Sequence, residues 1–201
     1  MRNVLSVASI ILAIGAGIPY IFDIIARRTK PNIVTWFTWT LLTAVATAAA
    51  FSAHQPRSAV LTMATSFGTF LVVVLGLKYG IAKFSLFDGL CQAGVIVGLV
   101  LWFIFNSPLI AIVASVVIDF IGLLPTLRHS WIKPGEETWE TFGIAFLAAL
   151  LTVISIRTFS ITGILFPAYL VFADGALAVI IFFRSKKLGI NLKRKATNTA
   201  R

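Results

Sequence analysis

Long apolar runs separated by short polar breaks form the main pattern along this chain. A helix that crosses about 30 Å of hydrocarbon needs about 20 apolar residues, because each helical residue adds about 1.5 Å. Charged and turn-forming residues mark the ends of the runs. The pattern predicts an all-α membrane protein with seven transmembrane helices, at Val4–Ile25, Ile33–Ala53, Ser58–Leu77, Phe87–Phe105, Pro108–Leu127, Trp139–Ile156 and Ile161–Phe183.

The composition agrees with this pattern and excludes an ordinary soluble domain. Hydrophobic residues make up 59% of the chain and charged residues 12%, and the mean hydropathy is +0.97, whereas soluble domains carry about 25% charged residues. The chain is also basic, with 17 Lys and Arg against 7 Asp and Glu. Except for Arg2, these basic residues lie between the apolar runs and in the tail after Phe183. Their placement indicates orientation in a membrane, with lipids as partners and no nucleic acid.

The basic residues are divided unequally between the two sides that seven spans define. The side of the N-terminus has three, Arg2, Arg57 and Arg157, and the opposite side has the other 14. Because cytoplasmic loops carry the excess of Lys and Arg, we predict a multi-pass protein of the bacterial inner (plasma) membrane. Its N-terminus is expected outside and its C-terminus in the cytoplasm.

Two loops on the basic side share a motif. Lys30-Pro31-x-x-x-Thr35-Trp36 recurs 103 residues later as Lys133-Pro134-x-x-x-Thr138-Trp139. One interpretation is coincidence, since basic loops and Trp belts are common in membrane proteins. The four matched identities at one offset favour an internal repeat. We expect Trp36 and Trp139 to be interface anchors at the depth of the cytoplasmic headgroups.

The repeat predicts a 3+1+3 arrangement of parallel triple-helix repeats. A unit of three helices ends on the side opposite to its start, so a single linking helix is needed to make two such units parallel. The units are then residues 1–83 (spans 1–3), a linker helix at 84–107 (span 4), residues 108–185 (spans 5–7), and a basic cytoplasmic tail at 186–201.

This plan, in a chain of 201 residues, resembles the SWEET sugar transporters, the wider PQ-loop group and the nicotinamide riboside transporters. It is also similar to uncharacterised bacterial seven-span proteins. Those transporter families place a proline in the first helix of each repeat, where Pro19 and Pro125 stand here. The chain departs from them because it has no Pro-Gln dipeptide, no proline inside spans 2 and 6, and none of the sugar-gripping Trp and Asn residues in spans 3 and 7. The resemblance implies the fold and leaves the substrate open, and Pro19, Pro125 and Pro167 are the expected hinges.

Two carboxylates fall inside predicted spans. Asp119 lies about halfway along span 5 and Asp174 somewhat past halfway along span 7. Since a central Asp costs about 2.5–3.5 kcal/mol on insertion scales, each should face the bundle interior or a wet cavity. Either residue then belongs to a substrate or proton pathway, or it only ties helices together through hydrogen bonds.

Hydroxyl side chains recur at helical spacing in spans 2 and 3. Thr43 belongs to one such stripe, and Thr62, Thr65 and Thr69 belong to another. Gln92 is a further polar side chain, in span 4. These groups are candidates for lining a substrate path, although Ser and Thr also commonly join membrane helices.

The expected function is transport of a small solute. Protease, retinal-binding, nucleophile-elbow and phosphate-loop signatures are lacking, and one cysteine and two separated histidines form no metal cluster. We therefore expect no enzyme, no catalytic residue, no cofactor and no metal. A transporter with alternating access at a midplane site, acting on an unidentified small polar solute, is the first hypothesis. The alternative is a receptor or assembly factor of the same fold that does not transport, and assembly into a homo-oligomer is left open.

Overall fold

The computed structural model describes residues 2–52, 56–80, 85–104, 108–156 and 161–190. This part of the chain contains helices and turns and no strand. The elements are α1 (Arg2–Gly15), α2 (Gly17–Ile25), α3 (Ile33–Ser52), α4 (Pro56–Tyr79), α5 (Leu86–Ile104), α6 (Pro108–Ile132), a 3-10 turn (Pro134–Glu136), α7 (Trp139–Ser155) and α8 (Ile161–Lys187).

Each predicted span contains helix, and the largest difference lies at the end of the fifth. There α6 continues past Leu127 to Ile132. Apolar composition marks only the part of a helix that suits hydrocarbon, and a helix can continue beyond it. Pro134 disfavours the α conformation of the residue before it, and Lys133 accordingly has φ −131° and ψ 63°. The helix therefore ends just before this Lys-Pro pair.

The first predicted span is divided into α1 and α2 at Ala16. Pro19 accounts for this division, because proline has no N–H to give to the carbonyl of Gly15 and its ring crowds that carbonyl. Ala16 keeps helical dihedral angles of φ −59° and ψ −32°. The two helices thus form one span with an interruption in its hydrogen bonding.

Among the residues that the structure describes, three stretches of helix are long and apolar enough to cross a membrane. They are Asn3–Ile25 across α1 and α2, Ile112–Ile132 in α6 and Ile164–Lys187 in α8. Shorter apolar stretches occur at Ile33–Ala46, Thr65–Tyr79, Leu86–Val97 and Trp139–Ser155.

The distribution of side chains fits a lipid surround. Leu86, Phe172 and Leu77 are exposed by 82%, 77% and 72%, while Glu137 and Thr38 are fully buried. In water, such exposure of large apolar side chains would be unfavourable, and buried polar groups would be rare. In a bilayer, apolar side chains face lipid and polar ones join the helices. The chain is therefore an all-helical membrane protein.

The helices pack in two similar groups. In the first, α4 contacts both α2 and α3; in the second, α8 contacts both α6 and α7. Between the groups, α1 packs against α7 and α3 packs against α6, and α5 lies beside α6. The buried core draws on both groups, with Tyr20, Ile24, Trp36, Val72, Val73, Leu123, Phe142, Leu177 and Ile181.

Candidate functional site

A cavity of about 170 Å³ lies between the two groups of helices. Its walls come from the α1–α2 interruption, α3, α4, α7 and α8. The lining residues are Ala13, Ile14, Ala16, Gly17, Trp36, Trp39, Thr65, Gly68, Thr69, Val72, Thr141, Phe142, Ala145 and Asp174.

The polar lining combines one carboxyl group with three threonine hydroxyls. Asp174 brings the carboxyl group from α8. Thr69 Oγ1 donates to the Ser66 carbonyl at 2.9 Å, so its hydrogen is already used within α4. Thr141 is only 5% exposed, and its Oγ1 has no hydrogen-bond partner among the described residues. A buried hydroxyl without a partner is unfavourable, so Thr141 has capacity for a ligand or water in the cavity.

Aromatic side chains form much of the rest of the wall. Trp36 and Trp39 stand edge to face, with ring centroids 5.0 Å apart and an interplanar angle of 82°. The Trp36 ring also lies 4.6 Å from that of Tyr20, and Tyr20 packs against Phe142 at 6.2 Å. These contacts fix the aromatic wall in place and connect it to the core beneath the cavity.

A hydrogen-bonded chain leads from this wall to the loop before α7. The Trp36 indole Nε1 donates to Tyr20 Oη at 3.2 Å. Tyr20 Oη in turn donates to Glu137 Oε2 at 2.7 Å. Tyr20 and Glu137 are both fully buried. Because these residues come from α2, α3 and the loop before α7, these hydrogen bonds join the two groups of helices.

The two loops that share the Lys-Pro motif contact each other directly. The Lys30 amide donates to the Glu136 carbonyl at 2.8 Å, and Lys30 Nζ lies 2.7 Å from Glu136 Oε1. Thr29 and Thr138 hydroxyls are 2.6 Å apart, and Thr138 donates to Asp23 Oδ2 at 2.8 Å. We call the contacts of these five residues, together with the Tyr20–Glu137 bond, the loop latch. Thr29 and Thr138 are at most 1% exposed, so their hydroxyls are shielded from solvent where the two loops meet at this end of the helix bundle.

Four of the residues that sequence reasoning selected line the cavity: Asp174, Thr65 and Thr69 from the predicted pathway, and Trp36, which was expected to be an interface anchor. Asp119 is elsewhere: it is 6% exposed and accepts a hydrogen bond from Tyr169 Oη at 2.8 Å. Asp119 is nevertheless close enough to Asp174 to interact with it electrostatically.

The other selected polar residues make contacts within or between helices. Thr43 Oγ1 donates to the Trp39 carbonyl in its own helix at 2.8 Å. Gln92 Oε1 accepts from Thr38 Oγ1 at 3.4 Å, where α5 meets α3. The side chain of Thr62 lies outside the described residues.

The selected prolines and tryptophans occupy varied positions. Pro19 interrupts the first span beside the cavity, whereas Pro125 and Pro167 lie inside continuous helices. Trp36 is 5% exposed and packs in the core, so its contacts are with protein rather than with headgroups. Trp139 is half-buried, with its ring 5.2 Å from that of Phe182.

Sequence reasoning missed Thr141, Trp39 and the Tyr20–Glu137 pair. Thr141 lies in the first turn of α7, where a threonine looks like a residue at the edge of a span. Tyr20 and Glu137 are 117 positions apart, and no local pattern joins them. The repeated Lys-Pro motif was the available signal, since it marked both loops of the latch.

Comparisons with models of protein families, with curated proteins and with solved structures find no match to this chain. No group of three or more His, Cys, Asp or Glu that could hold a metal ion occurs in the described part of the chain.

Proposed function

We propose that the protein transports a small solute by alternating access between two three-helix units, residues 1–83 and 108–185, linked by α5. The packing of the helices supports this arrangement. In both units the third helix contacts the first and the second, and the first helix of one unit meets the second helix of the other. Such equivalent contacts are expected of two parallel copies related by an axis along the membrane normal. The SWEET and PQ-loop groups, with the nicotinamide riboside transporters, are the families that this plan resembles.

The observation that carries the proposal is a small cavity bounded by both units, with the lining residue Trp36 hydrogen-bonded to Tyr20 of the latch that joins them. An apolar cavity of about 150 Å³ is large enough for benzene, so 170 Å³ holds one small organic molecule. A site between two units changes its access when the units rock relative to each other.

The loop latch is the closed gate in this mechanism. Opening this end of the bundle requires that Lys30 separates from Glu136, and Tyr20 from Glu137. The interrupted hydrogen bonding around Ala16 lies in the cavity wall, where a change in helix direction would alter the shape of the site. If the basic loops are cytoplasmic, as the positive-inside rule predicts, the latched form is the one closed to the cytoplasm in the proposed mechanism.

Solute flux into proteoliposomes tests the proposal. The protein is reconstituted and offered radiolabelled sugars, amino acids, amines and vitamins, with protein-free vesicles as the baseline. Asp174→Asn should abolish or strongly reduce the flux, because it keeps the shape of the side chain and removes its charge. Glu140→Gln on α7 is the matched control: it removes a carboxylate one residue from Thr141 without touching the cavity lining. Binding of a solute without flux would instead support the receptor alternative.

Orientation is tested separately. A fluorescent reporter that folds only in the cytoplasm should be bright when it is fused after Arg201. If that fusion is dark and a second fusion, to a reporter that is active only in the periplasm, is active, the C-terminus lies outside. That result would place the latch on the outer side and reverse the assigned state.

A further inference from the structure

We propose that the ligand of this cavity is a small organic cation, an ammonium compound of fewer than about ten non-hydrogen atoms. The inference deepens the proposed function, because it names the substrate class of the transport site. It is tested by binding, however, and so does not depend on flux.

The charge of the cavity lining favours a cationic ligand. Asp174 is the acidic residue among the lining residues, and no Arg, Lys or His lines the cavity in the described part of the chain. Within the same part, Asp174 forms no ion pair and receives no hydrogen bond. A carboxylate within hydrocarbon is costly unless a positive charge or a proton accompanies it. A cationic ligand would supply that charge, while an anionic ligand would meet only repulsion.

Asp119 provides an internal comparison. It is equally embedded in a predicted span, but Tyr169 donates a hydrogen bond to it at 2.8 Å and it does not line the cavity. Its polar requirement is thus met inside the protein. Of the two intramembrane carboxyl groups, Asp174 is the one that faces open space.

The aromatic wall of the cavity also favours a cationic ligand. Trp36, Trp39 and Phe142 line the same cavity as Asp174. The negative faces of aromatic rings attract cations, by about 2 kcal/mol or more when the site is desolvated, and Trp is the strongest of them. The combination of one carboxylate with aromatic rings therefore favours an ammonium group over a neutral group of equal shape.

The volume of the cavity and the hydroxyl group of Thr141 indicate the size and polarity of the ligand. An apolar cavity of about 150 Å³ holds benzene, which has six non-hydrogen atoms, and this cavity measures about 170 Å³. Thr141 Oγ1 has no partner among the described residues, so it can bond a hydroxyl or N–H group of the ligand. A compact ammonium compound with one polar substituent fits these features.

Three probes of nearly the same shape test the charge requirement. Choline is the cation, 3,3-dimethylbutan-1-ol is its neutral isostere, and 3,3-dimethylbutanoate is the anionic counterpart. Binding to the full-length protein in detergent is measured by calorimetry and by tryptophan fluorescence, to which Trp39 in the wall should respond. Tetramethylammonium and butylammonium extend the cation series. We expect at least one cation to bind, and choline to bind at least about tenfold more tightly than its neutral isostere.

Two variants and one control locate the binding. Asp174→Asn should remove the preference for choline over the neutral isostere, whereas a merely structural role would weaken both probes equally. Thr141→Val should weaken choline more than tetramethylammonium, which has no hydroxyl group. Glu140→Gln should leave all affinities unchanged, since Glu140 does not line the cavity.

The outcomes separate this inference from the proposed function. Equal or tighter binding of the neutral or anionic probe, binding of no cation at millimolar concentration, or an unchanged preference in Asp174→Asn would each overturn the organic-cation site. Transport of a neutral solute would also overturn the organic-cation site, but it would support the proposed transport function. Selective cation binding without any flux would support the site and contradict the transporter.

Discussion

Tyr20→Phe is the sharpest perturbation of the loop latch. The change deletes one oxygen atom and leaves the ring that packs against Trp36 and Phe142. The lost oxygen donates to Glu137 Oε2 at 2.7 Å and accepts from Trp36 Nε1 at 3.2 Å. All of these groups are at most 5% exposed, so water does not readily replace the missing bonds.

The magnitude follows from these two bonds. Loss of the bond to the Glu137 carboxyl group costs about 1–3 kcal/mol, and the Trp36 N–H left without its acceptor adds about 1 kcal/mol or more. The closed state is therefore destabilised by about 2–4 kcal/mol. If the latch breaks when this end of the bundle opens, the ratio of closed to open molecules falls by about thirtyfold to several hundredfold.

Distances between spin labels measure this shift. Labels are attached to cysteines at Lys78 and Lys133, one in each unit, in a Cys91→Ser background because Cys91 is the single native cysteine. Tyr20→Phe should add a population with a longer separation, and the Tyr79→Phe control should not. An unchanged distance distribution, together with an unchanged free energy of unfolding, would refute the view that the Tyr20–Glu137 bond holds this end closed.

Two further predictions concern the contacts between the units. Gly122→Ala should destabilise the protein by about 1–3 kcal/mol, because its Cβ would lie 2.6 Å from Thr38 Cγ2; Gly94→Ala, with its nearest contact at 3.4 Å, should be tolerated, and equal denaturation midpoints for the two variants would contradict this packing. Replacing Lys30 and Glu136 together with cysteine should allow a disulfide that stops flux under oxidation and restores it on reduction. Oxidised double-cysteine protein that still transports would show that the loops need not separate.

The sequence located the helices well because each is governed by local composition. In lipid, a run of about 20 apolar residues satisfies its backbone hydrogen bonds by forming a helix. Every predicted span contains helix in the structure. Of the three prolines expected to be hinges, only Pro19 coincides with an interruption, at Ala16, because its nitrogen cannot donate to the Gly15 carbonyl; Pro125 and Pro167 lie inside continuous helices. The end of α6 was missed because Arg128, His129 and Ser130 interrupt the apolar run, although the helix continues to Ile132.

The candidate site was predicted only in part, and the division follows the type of information required. Asp174, Thr65 and Thr69 could be selected because polar groups in apolar runs are conspicuous in any sequence. Asp119 was equally conspicuous, yet whether such a carboxylate meets a cavity or a tyrosine depends on a residue in another helix.

What the sequence determined by itself is therefore the membrane, the helices and a short set of polar candidates, because hydrophobicity and proline act within a few residues of the chain. Only the tertiary structure decided which candidates share a cavity and which are satisfied elsewhere. Tyr20 meets Glu137 across 117 positions, and the Lys30 loop meets the Glu136 loop across 106. Such contacts arise from the packing of whole helices against one another, and neither periodicity nor composition encodes them at the positions where they occur.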